Sequence, residues 1–380
     1  MAMNMTQTEP FISVVIPCLN EARTIALVVR EAREAFSQSG DPFEIIVADN
    51  GSSDRSRELA QEAGAKVVAV AARGYGAALQ GGFSAAQGEI ILFGDADATY
   101  DFSRGPDLVR HLRENNAAMV MGSRLKGNIA PGAMPLLHRY LGTPVLTELI
   151  NILFHGKITD CNSGFRAFRR KRLSRWRAHS SGMEFASEMI VGALQAGDLI
   201  LEVPIALRKD HGQRAAHLST WRDGMRHLLV ILSRAPQGFS YSGIVLLGLS
   251  LSVALPCMIL GPRRIGPLAI FDFHSLIFSV LVGFFGAQAI SYGLILDAKS
   301  PAPLPINRFF LELSEVTLLK IMTGLLLMIA GFAGFIGAVW YRHGFSNIHF
   351  LRTSLTMLYV SVVVGSLSIG IFFSQIHRRG

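Results

Sequence analysis

The chain has 380 residues, half of them hydrophobic, with a mean hydropathy of +0.36 and a formal net charge of +8. That is too apolar for an ordinary soluble enzyme of this length, and the excess is concentrated beyond Phe239. Up to that point lie 27 of the 36 Lys and Arg and 24 of the 28 Asp and Glu, a balance of +3, against +5 for the remainder; neither value suggests a nucleic-acid binder.

In chain order, Phe11–Pro17 is a β-branched run stopped by proline, and Asn20 can cap a helix reaching about Ser37, with Glu21 at its dipole-favoured start. Phe43–Ala48 is the next strand, ending in the turn-rich Asp49-Asn50-Gly51-Ser52-Ser53-Asp54. Lys66–Val70 is a third strand, and Arg73-Gly74-Tyr75-Gly76 leads into a helix toward Gln87. Glu89–Phe93 and Ala118–Met121 are the fourth and fifth strands, followed by Asp95-Ala96-Asp97 and Gly122-Ser123-Arg124; Ile200–Ile205 is the last. This alternation predicts an α/β, Rossmann-like unit with a mostly parallel sheet and helices on both faces. Ligands of such sheets sit beyond the carboxyl ends of the strands. There the sequence places Asn20, Glu21, Asp49, Ser52, Asp54, Arg73, Asp95, Asp97 and Arg124. Some of these are turn formers and caps, Ser52 and Ser53 first among them. Gly74-x-Gly76 is not the dinucleotide fingerprint, because it follows the third strand and lacks the later glycine.

Four apolar stretches follow, Ser240–Leu260, Ser275–Leu296, Val316–Trp340 and Thr353–Gln375, each about the ~20 residues that cross a bilayer. Their separators are polar or rich in Gly and Pro, and Lys320 can snorkel to the interface. An even number of spans puts both termini on one side, and the Arg-rich segment before the first span with His377-Arg378-Arg379 favours the cytosol. Met1–Pro10 lacks a cleavable apolar region, so no signal peptide is expected. Cys18, Cys161 and Cys257 show neither zinc spacing nor a disulfide framework, which suits a reducing compartment.

Asp95 and Asp97 are two carboxylates one residue apart at a strand end, able to reach one hard divalent cation, Mg²⁺ or Mn²⁺, together with a diphosphate. The same pattern also occurs as an ordinary helix cap.

Taken together, Val14-Val15-Ile16-Pro17 with Asn20-Glu21, Asp49 to Asp54, Arg73-Gly74-Tyr75-Gly76, Asp95-Ala96-Asp97, Gly122-Ser123-Arg124 and Asn162 to Phe168 resemble inverting family 2 glycosyltransferases of the GT-A fold. The branch they are similar to glycosylates polyprenyl phosphates and includes dolichyl-phosphate mannose synthases and bacterial polyprenyl-phosphate glucosyltransferases. The resemblance covers roughly Ile12 to Leu232, and the spans match it in kind without carrying a motif. It implies a nucleotide-sugar site bordered by Pro17, Asn20, Glu21, Asp49, Arg73 and Asp95, with Asp49 on the base or ribose. It implies Asp95 and Asp97 as ligands of Mg²⁺ or Mn²⁺, and Arg124, Ser163 and Arg166 as binders of the lipid phosphate. Asp97, Arg124 and Arg166 are then the residues on which catalysis would rest. Many relatives carry Gln at the position of Thr99, where it joins the metal shell; threonine is shorter and departs from that pattern.

The acceptor accounts for the lack of a convincing Ser-His-Asp or Cys-His set. A phosphate monoester, with a second pKa near ~6, is already a nucleophilic oxyanion at neutral pH. The difficulty is to bring it up to an anionic donor, which calls for a divalent ion on the departing diphosphate and for guanidinium groups on the acceptor. Arg166 follows Ser163-Gly164, where close backbone approach is feasible. Arg170 to Arg177 read better as a solvated helix start or membrane-surface patch, and Trp176 as packing or interfacial. Asp160 and Glu188 are the other carboxylates to watch, Glu188 as the partner of an Arg or as a surface residue. His211–Leu218, with Arg214 and His217, is a polar loop able to close over the diphosphate. Ser219–Leu232 reads as an interfacial amphipathic helix with Arg222 and Arg226 toward headgroups and Trp221, Met225 and Leu229 toward the bilayer. Asn128–Leu137 is expected to be a mobile acceptor loop.

The expectation is therefore a GT-A domain at 1–218, an interfacial helix and linker at 219–238 and a membrane domain at 239–380, in the cytoplasmic membrane with catalytic domain and termini cytosolic. Its partners would be a UDP- or GDP-hexose, polyprenyl phosphate and the membrane, and no nucleic acid. Relatives often self-associate through their spans, so a homo-oligomer is compatible with the chain. The sequence leaves glucose, mannose and aminosugars open. Competing readings are a processive polysaccharide synthase, opposed by the lack of a Gln-x-x-Arg-Trp signature, and a non-catalytic scaffold, which has no need of the carboxylate pair.

Overall fold

The computed structural model describes residues 11–210, 220–260, 263–265, 268–300, 302–342 and 351–379. The expectations on Met1–Pro10 and on His211–Leu218, including Arg214 and His217, lie outside the described residues. The chain divides into two compact units after Ile231.

The first unit is built on β1 (Ile12–Cys18), β2 (Phe43–Asp49), β3 (Lys66–Ala69), β4 (Ile90–Phe93), β5 (Met119–Ser123), β6 (Arg166–Arg169) and β7 (Ile200–Pro204). They form one sheet in the order β3-β2-β1-β4-β6-β5-β7. Every residue of β1 is buried, as a central strand covered on both faces requires. It pairs in parallel with β2 (Cys18 opposite Asp49) and with β4 (Val15 opposite Phe93). The helices are α1 (Ile25–Ser39), α2 (Ser56–Glu62), α3 (Tyr75–Ala85), α4 (Gly105–Glu114), α5 (Thr143–Phe154), α6 (Leu173–Trp176), α7 (Phe185–Gln195) and α8 (Thr220–Ser233).

Two details differ from the sequence reading. Asn20 does not cap α1: it lies in the left-handed region, with φ of 58°, and the helix starts at Ile25. The sheet also contains an antiparallel strand that the alternation did not reveal. β6 runs antiparallel to both neighbours, with Phe93 and Met121 opposite Arg166. Its sequence, Arg-Ala-Phe-Arg, is short and begins and ends with a charge, so it gives no strand signal of its own.

Phe168 of β6 stands at the centre of an aromatic cluster, with ring centroids 5.1 Å from Phe83, 6.3 Å from Phe93 and 5.5 Å from Trp176. Trp176 is fully buried and donates its indole N–H to Asp198 (2.7 Å), so its role is packing. The basic run around it is partly tied down: Arg172 pairs with Asp198 and Arg170 donates to the Ala86 carbonyl, while Lys171, Arg175 and Arg177 are exposed. The segment Asn128–Leu137 is pinned at its start, where Leu207 donates to the Asn128 carbonyl (2.8 Å) and accepts from Ala130 (3.0 Å); Leu136 and Leu137 are exposed. On α8, Met225, Arg226 and Leu229 are exposed whereas His227 and Ile231 are buried.

The second unit contains α9 (Pro236–Leu260), the hairpin β8 (Arg263–Ile265) and β9 (Leu268–Phe271), α10 (Phe273–Asp297), α11 (Pro305–Leu311), α12 (Glu315–Arg342) and α13 (Leu351–Arg379). α9, α10, α12 and α13 are each long and apolar enough to cross a membrane. α9, α10 and α13 pack through Ala254, Leu276, Val280, Ala287 and Tyr359. Small residues allow close approach: a side chain on Gly243 would meet the Gly286 carbonyl, and Ser250 bonds Ser279 and Tyr359. The hairpin and α11 fall within separators that the sequence reading treated as polar connections.

Truncating the buried ring in Phe168→Ala should cost about 3–5 kcal/mol, read as a lowered unfolding midpoint of the full chain in detergent. An unchanged midpoint would contradict the packing. Burial pushes the Cys18 thiol up to about 12 and the Cys161 thiol up to about 11. At pH 8 both should resist iodoacetamide until the chain is unfolded, as followed by mass spectrometry; rapid modification of either in the folded protein would contradict that placement.

Candidate active site

The carboxyl ends of β1, β2 and β3 are laced together by polar contacts. The Asn20 N–H donates to Ser52 Oγ (2.9 Å), and Asn20 Oδ1 accepts from the Ser53 N–H (2.8 Å). The Glu21 N–H donates to Ser56 Oγ (2.7 Å) and the Ala22 N–H to Asp54 (3.1 Å). Ser52 thus joins two loops rather than serving only its own turn. Asp49, 1 % exposed, accepts from the N–H groups of Gly51 and Ser52 and from Arg57 Nε (2.6 Å). Burial alone would raise its pKa, but the Ser52 and Arg57 hydrogen bonds outweigh it and hold the carboxyl below its usual range. The Asp49 carboxylate therefore shapes the β2–α2 loop in this structure instead of standing open to solvent. Pro17 is buried within β1.

Asn50, to which the sequence assigns no role, organises the loop after β3. Its Nδ2 donates to the Ala72 carbonyl (2.6 Å) and its Oδ1 accepts from the Gly74 N–H (2.8 Å), while Arg73 Nη1 donates to the Asn50 carbonyl. Gly74 has φ of 124°, and a side chain there would strike the Ser181 carbonyl, so only glycine fits.

Asp95 and Asp97 follow β4, both half-buried. Tyr75 donates its hydroxyl to Asp95 Oδ1 (2.8 Å); burial, together with the Asp95 charge, raises the phenol pKa well above 10, so it remains a donor. Asp97 Oδ1 accepts from Thr99 through both N–H (3.0 Å) and hydroxyl (2.7 Å), so Thr99 acts on Asp97. No group of three or more His, Cys, Asp or Glu able to hold a metal occurs among the described residues. Asp95 and Asp97 offer an oxygen pair of the kind that fits a hard divalent ion completing its coordination with phosphate and water.

Against Asp95 lies the segment leading into β6. A side chain on Gly164 would stand 2.7 Å from Asp95 Oδ2, and the Gly164 N–H donates to Tyr100 Oη (2.8 Å). Asp160, fully buried, grips Arg124 through Nε and Nη2 (both 2.7 Å) and through its N–H (3.0 Å). Burial works against the Arg124 charge, yet the neighbouring Tyr100 and Asp160 hold its pKa above that of a free guanidinium. Glu202 accepts from the N–H groups of Thr159 (2.7 Å) and Asp160 (3.1 Å) and pairs with Lys126 (2.9 Å), so the Asp160 loop is held from β7.

Arg166 is placed differently from what the resemblance implies. It is fully buried, and Nε, Nη1 and Nη2 donate to the carbonyls of Ser163 (2.8 Å), Ala186 (2.6 Å) and Cys161 (2.9 Å). Burial lowers its pKa, but from so high a starting value the group stays charged. Its guanidinium knits the chain around the site and presents no open face. Ser163 is also fully buried, and its Oγ accepts from the Phe165 N–H (3.4 Å). Glu188 is buried and accepts from the N–H groups of His179 (2.8 Å) and Ser180 (2.7 Å), so it is not a surface group. The structure thus brings Asp95, Tyr75, Tyr100, Arg124 and Asp160 together, and joins Asn20, Glu21, Asp49 and Arg73 through the adjoining loops. Tyr75 lies inside the Arg73-Gly74-Tyr75-Gly76 motif; Tyr100 and Glu202 carry no local signal.

Removing the Tyr75 hydroxyl in Tyr75→Phe should weaken Mn²⁺ binding about 10-fold, as loss of a residue that orients a ligand does, in an electron paramagnetic resonance titration of the full chain. Unchanged affinity would show that Asp95 does not depend on Tyr75.

The glycosyl transferase family 2 profile matches residues 13–176. Over 369 residues the chain is 35 % identical to the low-salt glycan biosynthesis hexosyltransferase Agl6 of Haloferax volcanii, covering 94 % of this chain and 86 % of that one. It is 28 % identical to the undecaprenyl-phosphate 4-deoxy-4-formamido-L-arabinose transferase of Edwardsiella ictaluri, over 77 % of this chain and 90 % of the relative. A mycobacterial protein of known crystal structure superposes with a TM-score of 0.50 at 25 % identity, over 60 % of this chain and 75 % of its own. The chain belongs to glycosyltransferase family 2, with a GT-A-like sheet in its N-terminal unit and four long apolar helices in its C-terminal one.

Proposed function

We propose that this glycosyltransferase moves a hexose from a nucleotide diphosphate sugar to polyprenyl phosphate, with inversion at the anomeric carbon and with Mg²⁺ or Mn²⁺. The observation that carries the reading is the meeting of Asp95, the first carboxylate of the Asp95-Ala96-Asp97 motif, with the Asp160-held Arg124 at one end of the sheet. It is supported by two relatives, one a low-salt glycan biosynthesis hexosyltransferase and the other an undecaprenyl-phosphate 4-deoxy-4-formamido-L-arabinose transferase.

In this reading Asp95 and Asp97 hold the divalent ion, which when bound neutralises the departing diphosphate. Tyr75 and Thr99 keep the two carboxylates oriented. An acceptor phosphate oxygen forms a bond to the anomeric carbon as the bond from that carbon to the nucleoside diphosphate breaks, so no proton has to be removed. Asp160 need not be a base; its carboxylate is committed to Arg124, whose positive charge favours two anionic substrates meeting there. Asn20, Glu21 and Asp49 build the loops around the nucleotide, and Arg166 and Ser163 act by supporting the chain beside Asp95. The burial of Trp176 counts against a processive synthase, because the Arg172–Trp176 segment offers no open indole to a saccharide. The proposed layout keeps a catalytic domain at 1–218, an interfacial stretch at 219–238 and a membrane domain at 239–380, in the cytoplasmic membrane with the catalytic side cytosolic.

The test is transfer of label from a panel of radioactive UDP- and GDP-sugars into the organic phase, using purified protein with undecaprenyl or dolichyl phosphate and Mg²⁺ or Mn²⁺. One donor should give lipid product, EDTA should abolish it, and Asp97→Ala should lower it about 100-fold or more. Lipid product from no donor would overturn the proposal.

A further inference from the structure

The loop between β4 and α4 carries a backbone conformation that its residue types do not favour. Ala98, buried between Asp97 and Thr99, has φ of 61°, in the left-handed region that L side chains rarely occupy. Such a residue persists only where its surroundings over-determine it. The turn governs what Asp97 can offer. It brings the Thr99 N–H and hydroxyl onto Asp97 Oδ1 (3.0 and 2.7 Å), while Oδ2 accepts no hydrogen bond among the described residues. One carboxylate oxygen is thereby taken and the other left for a ligand.

The turn is held from beyond the end of β7. The Arg208 N–H donates to the Thr99 carbonyl (2.8 Å), beside the bridge between Leu207 and Tyr100. The Arg208 guanidinium then reaches in two directions: Nη1 pairs with Glu31 of α1 (2.9 Å) and Nη2 with Asp101 (2.8 Å). Each carboxylate also holds main chain of the same loop. Glu31 Oε2 accepts from the Phe102 N–H (3.3 Å) and Asp101 Oδ1 from the Ser103 N–H (3.0 Å). Phe102 is fully buried, so the far end of the loop is fixed by packing and Thr99–Asp101 is the part that Arg208 secures. Ion pairs as exposed as this one, with 37 % of the arginine side chain open, add little general stability; its contacts converge instead on the turn that presents Asp97. We propose that Arg208 is a positioning residue for Asp97. It clamps the Thr99–Asp101 turn to α1, which keeps Ala98 left-handed and Thr99 on Oδ1, and so leaves Oδ2 toward the divalent ion. This rests on the reading of Asp95 and Asp97 as metal ligands. Arg208 lies more than a hundred residues from the turn, so no local pattern announces it.

The experiment titrates the full-length protein in detergent with Mn²⁺, alone and with UDP or GDP, by electron paramagnetic resonance, and measures the unfolding midpoint in EDTA beside it. Arg208→Gln should weaken Mn²⁺ binding about 10-fold, the loss typical of an outer residue that orients a ligand, while the midpoint in EDTA stays close to that of the wild type. Glu31→Gln keeps an acceptor for the Phe102 N–H and removes only the charge, so it should weaken binding in the same sense and by less. Adding Ala98→Gly to Arg208→Gln should restore part of the affinity, because glycine adopts the left-handed turn without being held there. Unchanged Mn²⁺ affinity in Arg208→Gln, beside a wild type that binds, overturns this inference alone. So does a midpoint in EDTA that falls below the titration temperature with the lost affinity following the unfolded fraction, since Arg208 would then support the fold at large. No recovery on adding Ala98→Gly would equally overturn it, because the turn would not be what Arg208 secures. A wild type that binds no Mn²⁺ under any of these conditions would overturn the metal reading of Asp95 and Asp97, and this inference with it.

Discussion

The arrangement of the site depends on the antiparallel pairing of β6 with β4. Once Phe93 lies opposite Arg166, the residues just before β6 must pass the end of β4 where Asp95 begins. Gly164 is pressed so close to that carboxylate that a side chain there would have to displace it. The same passage delivers Asp160 to Arg124 and the Gly164 N–H to Tyr100. A parallel β6 would put this segment at the opposite end of the strands, away from Asp95. One strand of four residues thus decides which groups share the site.

Charge is then managed by pairing. Burying an ion without a partner costs several kcal/mol, and the structure avoids this by chaining groups. Lys126 pairs with Glu202, Glu202 holds the main chain of Thr159 and Asp160, and Asp160 grips Arg124. Arg166 follows another route, its charge satisfied by carbonyl dipoles and lying 5.9 Å over the Phe93 ring. These groups are therefore held in place by several partners each. Arg73 and Arg226 are by contrast exposed, both lining one cleft.

Much of this organisation was legible along the chain. The strands β1, β2, β3 and β4 announced themselves as short apolar runs, three of them checked by Pro17, Asp49 or Gly94, and the four long apolar helices by length and composition. Asp95 and Asp97 were legible because their spacing and their place after a strand carry chemical meaning. Asn20 was misread as a cap because its residue type suits both a cap and the left-handed turn it occupies. Arg166 stood out because an arginine after Ser-Gly is what a phosphate site needs, but sequence does not say whether a guanidinium meets a ligand or three carbonyls. Glu188 and Glu202 hold main-chain N–H groups nine and more than forty residues away, and no local pattern records such partners.

By itself, the sequence determined the α/β unit, the apolar helices and the carboxylate pair at the end of β4, since these follow from periodicity, length and residue type within short windows. Only the tertiary structure decided the antiparallel insertion of β6, the capture of Arg124 by Asp160, the burial of Arg166 and the meeting of Arg73 with Arg226 in one cleft. The reason is that each of these joins residues far apart along the chain, and their proximity is set by sheet register and helix packing rather than by local preference.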